Sequence, residues 1–85
     1  MKASLRLCAE KVLRAINGEQ NRRNEFRNVS SEDLERLAET VRALAYFGYK
    51  MDKAAEITAQ KYCAGRVWYA SAMIRQWKAH DPEAV

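Results

Sequence analysis

Sixteen residues constrain this chain more than any others: Tyr62 to Trp77, YCAGRVWYASAMIRQW. Apart from Arg66, Arg75 and Gln76 the stretch is apolar, aromatic or small. It holds both tryptophans, two of the four tyrosines and one of the two cysteines. A helix with one apolar stripe covers one core, whereas a helix apolar all round needs burial on every side. Two stripes run through this stretch at helical spacing. One passes through Ala55, Thr58, Tyr62, Gly65, Tyr69, Ala72 or Met73, and Trp77, the other through Ala64, Val67 or Trp68, Ser71, Ile74 and Lys78. In an 85-residue chain one stripe can pack internally, and the other then calls for a second copy, a partner or a ligand.

A chain of 85 residues is one domain, 1–85, with a modest core. Cys8 and Cys63 stand far apart without metal or redox spacing, so two reduced thiols are expected rather than a disulfide scaffold. Self-association is then the expected source of extra stability, and a homodimer the expected assembly. The net charge of +4 arises from fifteen bases interspersed with eleven acids, which is a mixed-charge surface with a basic bias. The sixteen-residue apolar stretch carries two arginines and is too short and too charged to span a bilayer. The start of the chain is amphipathic rather than an unbroken apolar run, so no secretory signal is read there. A cytoplasmic protein with no membrane association is expected.

The periodicity predicts an all-α fold of three helices, near 3–17, 30–47 and 52–79. In the first, Leu5, Cys8, Ala9, Val12, Ala15 and Ile16 share a face, and Asn17-Gly18 reads as the stop. Residues 18–29 read as a polar linker, basic through Arg22, Arg23 and Arg27, with Phe26 folding back on the core. A connection of that length is also open to a functional role or to fusion with the first helix. Ser30 reads as the N-cap of the second helix, paired with Asp33, with Val29 and Leu34 placed as a hydrophobic staple. Glu32, Asp33 and Glu35 suit the positive end of its dipole. Its stripe is Leu34, Leu37, Ala38, Val41, Leu44 and Ala45; Gly48 ends it, and Tyr46, Phe47 and Tyr49 should plug one end of the core.

Asp52 reads as the cap of the third helix, and His80-Asp81-Pro82 as its end. Gly65 is the open question within it. An interior glycine costs about 1 kcal/mol against alanine, too little to break a packed helix, and the stripes keep their phase across it. One long helix is therefore favoured, about 40 Å against about 25 Å for each of the others; a break at Cys63-Ala64-Gly65 would make four helices. The expected core is Leu5, Val12, Ile16, Leu34, Leu37, Val41, Leu44, Ile57, Tyr62 and Tyr69.

No catalytic constellation is present in the sequence. His80 is the only histidine, Gly18, Gly48 and Gly65 are isolated, and the acids Glu32, Asp33, Glu35 and Glu39 suit a helix N-terminus better than a metal site. A non-enzymatic protein without metal, cofactor or small-molecule substrate is expected. Two function classes remain. The first is a regulator or adaptor that docks on another protein, with Trp68, Met73, Ile74 and Trp77 as anchors and Arg66 and Arg75 at the rim. Its compactness suits an inhibitor that occupies the working surface of a host factor. The second is a nucleic-acid-binding transcriptional regulator using Arg22, Arg23, Arg27, Lys61, Arg66, Arg75 and Lys78. From Ile57 to His80 there are four cations and no acid, with Tyr62, Trp68, Tyr69 and Trp77 interleaved. Cutting the stretch at Cys63-Ala64-Gly65 gives a helix-turn-helix pattern, although cysteine stands where glycine is common and the glycine comes two residues late. The docking class is the first expectation and the nucleic-acid class the second.

Overall fold

The computed structural model describes residues 4–65 and Arg75. Three helices account for most of them: α1 (Leu5–Arg23), α2 (Ser31–Tyr46) and α3 (Met51–Cys63). There is no strand among the described residues. Each helix packs on both of the others. Lys11 of α1 is ion-paired with Asp52 at the start of α3, and the charge of Arg23 at the end of α1 acts on Cys63 at the end of α3. The two helices therefore run in the same direction. The Tyr62 hydroxyl donates to Asp33 near the start of α2, so α2 runs the opposite way between them. The result is an up-down-up bundle of the all-α class expected.

The second helix forms where its caps dictate. The Asp33 amide donates to the Ser30 hydroxyl at 3.1 Å, which satisfies one of the orphan donors of the first turn. Val29 and Leu34 both pack half-buried against the core. At the other end Gly48 has a φ of +104°. Its amide bonds to the Ala45 carbonyl, and that of Tyr49 to the Leu44 carbonyl, each at 3.1 Å. This is the two-bond closure of a left-handed C-terminal cap.

The first helix departs from the expected 3–17. It runs six residues further, through Asn17-Gly18, and ends in a left-handed Asn24 with φ +55°. The Glu25 amide bonds to the Gln20 carbonyl and that of Asn24 to the Asn21 carbonyl, the same two-bond closure. What carries the helix past Gly18 is the buried face formed by Cys8, Val12, Ile16, Glu19 and Gln20. Both polar members of that face are hydrogen-bonded, which offsets their burial.

Gly18 is thus an interior helical residue, and a methyl group on it would meet nothing within 4 Å. Its open side lies in a groove of about 420 Å³ between α1 and α3, which Lys11, Arg14, Asp52 and Glu56 also line. Gly18→Ala should therefore stabilise the domain by about 0.5–1 kcal/mol. Thermal unfolding followed by circular dichroism checks this; a lower midpoint would contradict the helical assignment at that residue.

The third helix is also corrected at both ends. Its N-cap is Lys50, not Asp52, and no side chain caps it. Asp52 lies instead in the first turn, where its charge suits the dipole and pairs with Lys11. The continuous helix expected over 52–79 is interrupted. α3 stops at Cys63, Ala64 is its C-cap, and Gly65 has a φ of +78°, with its amide bonded to the Tyr62 carbonyl at 2.9 Å. Residues 66–74 and 76–85, with the proposed continuation of that helix, lie outside the described residues; Arg75 itself is helical and exposed.

The core is made of smaller side chains than expected. Val12, Ile16, Leu37, Val41 and Leu44 are buried as expected, and Cys8, Ala38, Ala54, Ala55, Ala59 and Cys63 complete it. Leu34, Ile57 and Tyr62 are half-buried at its margin. Leu5 is exposed, and Tyr69 lies outside the described residues. Phe26 does not fold back but is 66 % exposed, and Tyr46 and Tyr49 face solvent rather than plugging the end of the bundle. A tyrosine can stand in solvent because its hydroxyl is hydrated, whereas the close approach of α3 to the other two helices is made by small residues, Ala54, Ala55, Ala59 and Cys63. No described helix is long and apolar enough to cross a membrane.

Candidate nucleic-acid interface

The parallel course of α1 and α3 brings their C-terminal ends together, with the loop 24–30 and the start of α2 beside them. The arginines of one candidate set, Arg22, Arg23 and Arg27, lie at this end. Arg23 and Arg27 act on Cys63, which stands just before the turn after which the second basic segment begins in sequence. In the sequence these were two unconnected features.

Glu19 organises the last turn of α1. Its carboxylate is only 8 % exposed. Its two oxygens accept from Arg22 Nη2, at 2.6 and 2.7 Å, and Oε1 also accepts from Arg23 Nε at 3.0 Å. The spacings are three and four residues, so all three groups lie on one side of the helix. These hydrogen bonds, from Arg22 first and Arg23 second, hold the Glu19 carboxyl below the usual glutamate range. Two cations in the last turn also suit the negative end of the helix dipole.

Gln20 fastens the loop. Its side-chain amide donates to the Arg27 carbonyl at 3.1 Å and accepts from the Arg27 amide at 3.4 Å. A single side chain so pairs with both backbone groups of one residue, as a neighbouring strand does. The Arg27 side chain is left exposed.

Cys63 lies under this end of the bundle. Burial pushes its thiol up and Glu19 adds to the rise, while the charges of Arg23 and Arg27 oppose it. Burial likewise raises the Tyr62 hydroxyl, with Asp33 adding to the rise and Arg27 opposing it. Burial raises the Cys8 thiol as well, against the opposing charge of Arg42. Neither cysteine forms a disulfide, and a raised thiol is a poor nucleophile near neutral pH. Lys61 is half-buried in the last turn of α3.

Of the seven residues assigned to nucleic acid, Arg22, Arg23 and Arg27 lie at one end of the bundle, and Lys61 stands in the last turn of α3 at the same end. Arg66 and Lys78 lie outside the described residues, as do the docking anchors Trp68, Met73, Ile74 and Trp77. Arg75 is described, and it is exposed. Sequence reading missed Glu19 and Gln20, which hold the arginine end in shape. The signal for Glu19 was its spacing to Arg22 and Arg23. For Gln20 no signal existed, because its partner is a backbone. Among the described residues, no histidine, cysteine or carboxylate groups gather in a way that could hold a metal ion.

Comparison with protein-family models, with curated proteins and with solved structures finds no match to the chain.

Proposed function

We propose that the chain is a small non-enzymatic regulator that binds duplex DNA. In this reading α3, the Ala64-Gly65 turn and the segment beginning at Arg66 form a helix-turn-helix element. Arg22, Arg23 and Arg27 meet backbone phosphate beside it, with Lys61, Arg66, Arg75 and Lys78 contributing further along the chain. The observation that carries it is the left-handed Gly65 immediately after the end of α3. It divides the basic aromatic stretch at Cys63-Ala64-Gly65, where the helix-turn-helix reading cuts it, with the glycine two residues later than is common in such turns. The buried Ala59, four residues before Cys63, gives α3 the small inner face that close packing of such an element needs.

The test is fluorescence anisotropy with a short mixed-sequence duplex, from about 50 to about 200 mM salt. Binding should weaken linearly on logarithmic axes as salt rises, because each neutralised phosphate releases counterions. Arg27→Gln should weaken binding and make that slope shallower by about one. Its backbone is held by Gln20, so the loop should keep its shape in the variant. No binding at the lowest salt would sink the proposal, and a single strand bound better than the duplex would replace it with a stacking mode.

The second reading is docking on another protein, or on a second copy of the chain, through Trp68, Met73, Ile74 and Trp77 with Arg66 and Arg75 at the rim. The apolar composition of 66–77 supports it. A single helix about 40 Å long does not support it, since α3 ends at Cys63. Self-association that sedimentation shows to be insensitive to salt would favour this reading over DNA.

A further inference from the structure

Resting on the DNA-binding reading, we infer that Glu19 is a positioning residue that sets the strength of the arginine end. It orients Arg22 and Arg23 toward phosphate and at the same time offsets one of their two charges.

The geometry has two sides. A guanidinium carries five N–H donors in a planar fork. Glu19 occupies one nitrogen of Arg22 and one of Arg23, which leaves the remaining edges of both forks to solvent. Arg22 stays 69 % exposed and Arg23 38 %. Both guanidinium groups are therefore held in place and accessible, which suits the bidentate recognition of phosphate oxygens. Glu19 itself is only 8 % exposed, covered in part by the two guanidinium groups it binds. A phosphate meeting the pair faces a triad of net charge +1 rather than +2. Glu25 and Asp33 add further acid at this end, and their fields reach Cys63 and Tyr62 there. The arginine end is thus moderated, not maximally basic. This suits a regulator, which must leave non-specific DNA as well as hold it.

Glu19→Gln tests the inference, because glutamine keeps the shape and an acceptor oxygen while removing the charge. It should tighten binding to the mixed-sequence duplex about tenfold at low salt and steepen the salt slope by about one. Arg22→Gln, at an exposed position, should do the reverse. Circular dichroism establishes that each variant is folded. If Glu19→Gln folds and leaves affinity and slope unchanged, or weakens binding, the inference is overturned while the DNA-binding reading stands. If the unaltered protein does not bind the duplex, both are overturned. Should Glu19→Gln fail to fold, Arg22→Gln decides: unchanged affinity and slope overturn the inference. Inorganic phosphate bound as tightly as the duplex also overturns it, since that would mark a small-anion site.

Discussion

Ile16→Ala is expected to destabilise the domain by about 2–5 kcal/mol, the cost of removing buried methyl groups plus the cavity they leave. Ile16 is wholly inaccessible to solvent and belongs to the core that all three helices share. It is also among the largest of the fully buried side chains. The core it belongs to combines Leu37, Val41 and Leu44 with the shorter side chains of Cys8, Val12 and the alanines, so a void at Ile16 is filled only in part. A chain of this size has about 5–10 kcal/mol to lose, so the variant should lie close to its unfolding transition at room temperature. Urea denaturation with a midpoint shift checks this. A loss below about 1 kcal/mol would mean that Ile16 is not enclosed as described.

Gly65→Ala is the second large effect, and it bears on function. A methyl group there meets no neighbour within 4 Å, so crowding is not the issue. The backbone is: at φ +78° an L-residue is strained by about 1–2 kcal/mol. The melting midpoint should fall by roughly 4–15 °C in a domain of this size. Were residues 52–79 one helix, the same substitution would raise the midpoint, by helix propensity. The sign alone separates the two architectures. Gly18→Ala serves as an internal control, since its helical backbone predicts the opposite sign in the same protein.

The ends of α2 were legible because each rests on a local signal: a serine with the right register before the stripe, and a glycine after it. The end of α1 was misread because two stop signals compete. Asn17-Gly18 and Asn24 can each adopt the left-handed turn, and a local reading takes the first. Tertiary packing takes the second, since the helix buries one continuous face from Cys8 through Val12 and Ile16 to Glu19 and Gln20. Gly65 was misjudged for the converse reason. The stripes keep their phase across it whether or not the backbone turns, so periodicity could not see the break.

The core was half legible. Large apolar residues at helical spacing identify Val12, Ile16, Leu37, Val41 and Leu44. They do not identify the face α3 turns inward, where Ala54, Ala55, Thr58 and Ala59 carry little hydrophobic signal and Ile57 and Tyr62 draw attention to its margin. The candidate site was legible as composition and not as place. Arg22, Arg23 and Arg27 were visible as a basic loop, but their company with the turn at Gly65 depends on α1 and α3 running the same way. No local pattern encodes that.

The pairing of Gln20 with the backbone of Arg27 has a kinetic consequence. A polar connection of this kind ordinarily samples many shapes, and a polyanion that needs one of them must wait for it or induce it. Here the ordering of 24–30 is completed when the bundle folds, because a helical side chain holds both hydrogen-bonding groups of the loop's central residue. In the proposed DNA-binding reading, association at this end would then lose little loop entropy. Its rate should be governed by electrostatic encounter, rising as salt is lowered, with no slower rearrangement phase behind it.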